Sequence, residues 1–207
     1  MSFKIRPLPS RALRFSVGLA LSIGCLTTPA WADFQAGMDA NDREDYATAL
    51  REWLPLGEQG NAIAQYNLGV LYRKGRGMTQ DDVQARKWYD KAAAQGHAKA
   101  QYNLGTLYFN GEGAPKDYQQ ALRWFRLAAD QGEAIAQTKI AIMYEDGHGV
   151  PHDRVEAYKW YSLAITSGDK PATLLRNLIT DKMTPAQITK AQKLAQEWKP
   201  KTQSAPR

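Results

Sequence analysis

Cysteine is almost absent from this chain, since Cys25 is the only one among its 207 residues. A single thiol forms no internal disulfide and offers no thiolate set for a structural metal. Blocks of like charge are also missing between residues 45 and 168, which argues against the dense basic face that nucleic-acid binding requires. The protein therefore depends on its hydrophobic core for stability.

Long apolar runs are equally scarce. The one extended run, Phe15 to Leu26, has twelve residues and is too short to span a bilayer. Basic but no acidic residues precede it, and a small-x-small triplet follows at 30–32, which is typical of a secretory signal peptide. We expect cleavage after Ala32 and a periplasmic or secreted mature chain, with no stable membrane span. Lipid attachment at Cys25 is the minor alternative.

The predicted signal peptide also accounts for most of the net charge. The whole chain carries +6, but four of its 27 Lys and Arg residues lie in the first 32 positions. The remainder holds 23 basic residues against 21 acidic ones, a net charge of about +2. This balance gives no indication of a nucleic-acid partner.

A fixed period of 36 residues organises the rest of the chain, and a period in this range is typical of a solenoid. Residues that recur in phase are Gly60, Gly96, Gly132 and Gly168, then Asp45, Asp81, Asp117 and Asp153, and also Ala49, Ala85, Ala121 and Ala157.

Each unit reads as a helix, a turn and a second helix. In the unit Ala64–Gly96, apolar residues recur on one helical face, Gly75 and Gly77 break the first helix, and Asp81 begins the second as its N-cap. Neither helix is long enough to be stable alone in water, so stacking must cover their apolar stripes. We predict an all-α, α/α superhelical solenoid of about five helix pairs, with the phased Trp88, Trp124 and Trp160 filling the space between pairs.

The repeated motif resembles the Sel1-like repeat, a relative of the tetratricopeptide repeat. It recurs from 100 to 132 and, with substitutions, from 136 to 168. The resemblance implies a non-enzymatic adaptor or scaffold that holds other proteins in a complex. In exported bacterial members of the family, such a scaffold is associated with envelope assemblies. The matching residues of the first copy are Ala64, Leu68, Gly69, Tyr72, Gly75, Gly77, Asp81, Ala85, Trp88, Tyr89, Ala92, Ala93, Gln95 and Gly96.

The two ends depart from the motif and are expected to cap the stack. We expect a signal peptide over 1–32, an N-terminal capping helix pair over 33–60, three units over 61–168, C-terminal capping helices over 169–198 and a flexible tail over 199–207. Phe34–Ala40 is predicted as a short helix joined to the next by 41–42. Pro55 falls inside the second helix, and Pro185 suits the first turn of the last one.

Candidate catalytic residues are few, and each has a structural explanation. His148 and His152 have a metal-like spacing, but both occupy turn positions where other units carry ordinary polar residues. The Gly-x-Gly turns lack the Lys-Ser/Thr of a phosphate loop. Ser167 and Lys170 form an S-x-x-K pair without the accompanying S-D-N or K-T-G. We therefore expect no catalytic, cofactor-binding or metal-binding residues and no enzyme, with β-lactam processing, proposed for cysteine-rich relatives, as a remote alternative.

The predicted binding surface is the concave face, which the first helix of each pair lines in helical-pair solenoids. Its Tyr-Asn pairs at 66–67 and 102–103 offer a ring and an amide to an extended backbone, so the expected partner is another protein or a peptide segment. Glycan or peptidoglycan binding and a homo-oligomeric structural role are the alternatives. The candidate residues are Tyr66, Asn67, Val70, Arg73, Tyr102, Asn103, Thr106, Phe109, Thr138, Lys139, Ile142 and Glu145.

Overall fold

The computed structural model describes residues 30–200, which form helices and no strands. The predicted all-α fold is confirmed. Most of the predicted signal peptide (residues 1–29) and the end of the predicted tail (residues 201–207) lie outside the described part. The ten helices of residues 30–200 are α1 (Ala30–Asp42), α2 (Tyr46–Glu58), α3 (Ala62–Lys74), α4 (Asp82–Ala94), α5 (Ala98–Asn110), α6 (Tyr118–Ala129), α7 (Ala134–Asp146), α8 (Arg154–Thr166), α9 (Ala172–Thr180) and α10 (Pro185–Glu197).

The first eight helices pack as four consecutive hairpins, α1–α2, α3–α4, α5–α6 and α7–α8. The second helix of each hairpin also packs on the first helix of the next, and the buried apolar residues form three successive clusters along the stack. The last two helices behave differently, because α9 and α10 both pack mainly on α8. They close the apolar end of the stack together and do not repeat the hairpin.

The phased aspartates begin the second helices, as predicted. Each carboxylate accepts a hydrogen bond from the backbone N–H three residues ahead, at 2.9 to 3.1 Å in the three repeats. This bond satisfies one of the N–H groups that the first turn leaves unpaired. The aspartates are Asp81, Asp117 and Asp153.

The Gly-x-Gly turns are explained by backbone geometry. In the middle repeat, Gly111 ends α5 with a left-handed φ of 79° and Gly113 follows with a φ of 65°. A Cβ on Gly113 would lie 2.2 Å from the carbonyl oxygen of Asp82 in the preceding hairpin. The second glycine is thus required where neighbouring hairpins touch, which supports the structural interpretation of these turns.

In the core of the first two repeats, a large aromatic ring packs directly on a glycine. A Cβ on Gly69 would lie 2.6 Å from the ring of Tyr89, and one on Gly105 would lie 2.7 Å from Phe125. Both rings are buried, as are Trp88 and Trp160. Trp124, predicted to fill the same kind of space, is only partly buried.

The N-terminal hairpin uses the same packing with a shorter connection. Trp53 is buried against Gly37, where a Cβ would lie 2.2 Å from the indole nitrogen. The predicted helix end at 40 and joint at 41–42 are wrong, because α1 continues to Asp42 and the turn is formed by 43–45. Glu44 takes a left-handed φ of 61° there, and Asp45 supplies the cap that ends the turn. Pro55 lies inside α2, as predicted.

Buried glutamines form a polar ladder through the stack. Gln65 and Gln101 each donate from Nε2 to a backbone carbonyl of the preceding hairpin, at 2.8 and 3.1 Å. Their Oε1 atoms accept from Gln95 and Gln131, at 2.7 and 2.8 Å. The same ladder continues to the third repeat but is incomplete there.

In the third repeat Gln137 takes the place of Gln65 and Gln101, and it donates to the carbonyl of Ala129 at 3.2 Å. The position that should supply its second bond holds Ser167 instead of glutamine. The Oε1 atom of Gln137 therefore has no hydrogen-bond partner among residues 30–200, although the residue is only 1% exposed.

Candidate functional site

The predicted groove residues of α3 lie beside two adjoining hollows. Tyr66 belongs to both hollows and is half-buried. Tyr66, Tyr89 and Asn103, the last of them on α5, line one of these hollows together. Burial raises the pKa of both tyrosines above the ordinary value, so both hydroxyls remain protonated at neutral pH. The structure thus brings together predicted residues from two successive units.

The first hollow, which we call the apolar hollow, has a volume of about 510 Å³. It lies between α1, α3 and the start of α5. The amide of Asn67 reaches across it and donates to the sulfur of Met38 at 3.7 Å. Ile63 is 51% exposed although it is aliphatic. The hollow is lined by Phe34, Met38, Ile63, Tyr66, Asn67, His97, Ala98, Lys99 and Glu133.

The second hollow, which we call the basic hollow, has a volume of about 300 Å³. It lies further along α3, toward the C-terminal end of that helix. Arg73 is bridged at 3.1 Å to Glu112, which belongs to the turn of the next hairpin. Lys74 is exposed and makes no ion pair with any residue between 30 and 200. The lining residues are Tyr66, Val70, Arg73, Lys74, Tyr89 and Asn103.

His97 shapes the apolar hollow and begins α5. Its ring stacks on Tyr66 with centroids 4.7 Å apart, and its Nδ1 accepts a hydrogen bond from the backbone N–H of Ala100 at 3.2 Å. This bond requires an unprotonated Nδ1. Burial lowers the pKa of His97 below 6.5, and the positive charge of Lys99 lowers it further.

The predicted residues of α5 mostly pack against other side chains. Tyr102 lies against the buried ring of Phe125, with centroids 5.9 Å apart. The hydroxyl of Thr106 donates back to the carbonyl of Tyr102 at 3.0 Å. Neither residue lines either of the two hollows.

Phe109 joins an aromatic cluster between the second and third repeats. Its ring lies 5.2 Å from Tyr118 and 5.5 Å from His148. The ammonium group of Lys139 lies 5.9 Å from the Phe109 ring. The two predicted groove residues thus contact each other, but as part of the packing between hairpins.

The predicted residues of α7 are also engaged within the chain. The hydroxyl of Tyr161 donates to the carboxylate of Glu145 at 2.7 Å, and Ile142 packs partly buried against the core. Thr138 is buried and donates to Asp169 at 2.5 Å. The groove is therefore open at α3 and occupied by internal contacts at α7.

Several residues of the apolar hollow were not predicted from the sequence. Phe34 and Met38 come from α1, which lies outside the 36-residue repeats. Ile63 could have been found, because isoleucine stands at the same repeat position in Ile135, and both are about half exposed, at 51% and 47%.

A larger cleft of about 610 Å³ lies away from these hollows, between α6 and α8. Trp198, which follows α10, closes one side and contacts Trp160 edge-on with centroids 5.8 Å apart. Arg126 and Tyr144 also line the cleft, and the guanidinium of Arg126 donates to the hydroxyl of Tyr144 at 2.9 Å. None of the predicted groove residues lines this cleft.

The histidines are held by contacts other than metal ligands. Residues 30–200 bring together no group of three or more His, Cys, Asp and Glu side chains that could hold a metal. His148 stacks on Tyr118 with centroids 4.7 Å apart, and His152 hydrogen-bonds with the carbonyl of Glu145. Ser167 is the exposed residue that ends α8.

The repeat geometry agrees with the comparison to known families. The Sel1 repeat model matches residues 62–97, 98–133 and 134–169, so each match covers one hairpin and the start of the next. This chain belongs to the Sel1 repeat family. Sel1 repeats are generally protein-interaction scaffolds and typically non-enzymatic. No curated protein is significantly similar to the chain.

Two solved structures resemble this Sel1 repeat chain. A Sel1 repeat protein from Oxalobacter formigenes is 36% identical, with a TM-score of 0.67 over 72% of this chain and 61% of its own length. The protein c5321, a protective antigen of uropathogenic Escherichia coli strains with an SLR fold, is 30% identical, with a TM-score of 0.57 over 81% and 45%. The chain thus spans less than two thirds of both relatives.

None of the helices between residues 30 and 200 combines the length and apolar composition that crossing a membrane requires.

Proposed function

We propose that this protein is an interaction scaffold that holds an extended segment of another polypeptide against α3 and α5. The observation that carries the proposal is the pair of adjoining hollows that share Tyr66. Solvent-accessible apolar surface beside amide and cationic side chains suits a peptide, which needs pockets for side chains and partners for its backbone.

The groove side of α3 supports this proposal better than the rest of the predicted surface. Asn67 and Asn103 lie half-buried at the two hollows, where an amide can both donate to and accept from a passing backbone. Glycan binding would need aromatic rings that stand free, but Tyr102 and Phe109 pack against other rings. We therefore prefer a polypeptide guest.

We further propose that the scaffold acts outside the cytoplasm, within an envelope assembly. The basic head, short apolar run and small-x-small triplet of the first 32 residues support export. The N-terminal sequence of the mature protein from an expressing bacterium tests this, and we expect it to begin at Asp33. Lipid-modified Cys25 or an uncleaved chain would contradict soluble export.

The binding proposal is tested by selection from a random peptide library against purified residues 33–207. Val70→Glu places a charge in the basic hollow and should abolish the binding of selected peptides. Lys87→Glu, on the exposed face of α4, is the matched control and should leave it unchanged. Circular dichroism establishes that both variants are folded.

Selected peptides that bind equally well to the Val70→Glu variant would contradict the groove as the binding surface. A parallel pelleting experiment with peptidoglycan sacculi covers the alternative guest. Two results together would indicate a glycan as the guest instead of a peptide. The protein would be retained on sacculi but the Tyr66→Ala variant would not, and the peptide library would give no enrichment.

A further inference from the structure

The apolar hollow and the basic hollow lie side by side along α3 but offer different chemistry to a guest. In the apolar hollow, Phe34, Met38 and Ile63 form the hydrophobic surface. Lys99 and Glu133 also line it and have opposite charges. These two charges balance, so the hollow carries no net charge. An aliphatic or aromatic side chain of the guest is therefore the group that fits it.

The basic hollow has the opposite character, because it contains cations and no acidic side chain. Lys74 makes no ion pair within residues 30–200, so its ammonium group is available to a guest. Arg73 is shared with Glu112, but a guanidinium has five N–H donors and can bind a second carboxylate. A carboxylate is the complementary group for this hollow.

The spacing between the two hollows follows from the helix that connects them. Ile63 and Tyr66 mark one hollow, and Arg73 and Lys74 mark the other, about nine residues further along α3. At a rise of 1.5 Å per residue this is about 13 Å. An extended chain advances about 3.3 Å per residue, so about four guest residues cover the distance.

We propose that the groove selects extended segments that carry one large apolar side chain and one Asp or Glu about four positions away. The apolar side chain occupies the apolar hollow, and the carboxylate binds Lys74 and Arg73. This inference rests on the proposed function and specifies the chemistry of the guest.

Fluorescence anisotropy with labelled synthetic peptides tests the inference. The peptides have a Gly/Ser/Thr background with one Leu and one Glu, in both orders and at separations from adjacent to twice the predicted one. Matched peptides replace Glu by Gln or Lys, or Leu by Ser. We expect the tightest binding near a separation of about four, and a loss of about tenfold when either Leu or Glu is replaced.

Three variants of the protein sharpen the test. Lys74→Glu should weaken the binding of the Glu peptide by about tenfold and strengthen the binding of the Lys peptide, because the sign of the free charge is reversed. Glu112→Gln removes the ion-pair partner of Arg73 and should strengthen the binding of the Glu peptide by about threefold. Damage to the fold would not produce such a gain. Lys87→Glu carries the same charge change outside the hollow and should alter neither preference.

The outcomes separate this inference from the proposed function. Equal binding of the Glu and Gln peptides, or no dependence on separation, would overturn the inference. The proposed function would survive if library-selected peptides still required an intact groove. If neither synthetic nor selected peptides bind, both are wrong.

Discussion

Replacing Ser167 by glutamine should complete the polar ladder and stabilise the protein. In the first two repeats a glutamine at this position donates from Nε2 to the Oε1 atom of the buried glutamine, at 2.7 and 2.8 Å. Gln137 has the same environment in the third repeat but no donor for its Oε1. The substitution therefore restores a bond that the other two repeats already make.

The expected gain follows from two opposing contributions. A buried acceptor without a partner costs about 1–3 kcal/mol. Fixing an exposed glutamine side chain at the end of α8 costs about 1–2 kcal/mol of rotamer entropy. We expect a net increase of about 1 kcal/mol in the free energy of unfolding, which corresponds to about 2–4 °C in the melting temperature of a protein of this size.

Urea unfolding followed by far-ultraviolet circular dichroism measures this difference. Gln131→Ser is the reverse experiment, since it leaves Gln101 in the situation of Gln137, and it should lower the stability by about 1 kcal/mol. Ser167→Gln in a Gln137→Met background should give no gain, because the acceptor is gone. A stabilisation that persists without the Gln137 acceptor, or a neutral Gln131→Ser, would refute the ladder as the cause.

Three further perturbations follow from the packing and the caps. Gly37→Ala puts a Cβ 2.2 Å from the indole nitrogen of Trp53 and should lower the free energy of unfolding by about 1–3 kcal/mol. The control, Ala36→Ser on the exposed face of the same helix, should change it by less than about 0.5 kcal/mol. Asp117→Ala removes the side-chain acceptor for two N–H groups of α6 and should cost about 1 kcal/mol in denaturant unfolding, most of which Asp117→Asn should retain. His97 should make the free energy of unfolding decrease on acidification. Its pKa in the folded state lies below the ordinary 6.5, so the unfolded chain takes up the proton at a higher pH than the folded one. Stability is therefore lost as the pH falls from about 6.5 through the folded-state pKa. A His97→Asn variant, which keeps a cap acceptor as in Asn61, should be flat over that range in thermal unfolding measured against pH, and an equal decline in both proteins would contradict this role.

The repeated elements of the fold were predictable because each has a local cause that recurs at 36 residues. The Asp81 carboxylate begins a helix and Gly75 ends one through interactions with their immediate neighbours. The end units were harder to predict. The connection between α1 and α2 is shorter than in the repeats, and the signal for it was the pair Gly37 and Trp53, which reproduces the packing of Gly69 on Tyr89 at a different sequence separation.

The groove was less predictable than the fold, because the helical period places a residue on a face but does not say what lies opposite. Thr138 and Glu145 occupy groove positions by period, but they bond to Asp169 and Tyr161 within the chain. Conversely, the apolar hollow requires side chains from α1, a helix that does not follow the repeat period. Such contacts depend on tertiary packing, which sequence periodicity alone does not contain.

The positions that differ between repeats explain why the groove is open at one end only. The last turn of each first helix carries Arg73, Phe109 or Glu145 at the same repeat position. Arg73 lines a hollow, Phe109 packs into an aromatic cluster, and Glu145 binds the hydroxyl of Tyr161. The identical positions thus maintain the stack, while the variable ones determine which part of it can accept a guest. A bound segment should therefore contact α1, α3 and α5, whose side chains line the two hollows, and substitutions at Ile142 should leave its affinity unchanged.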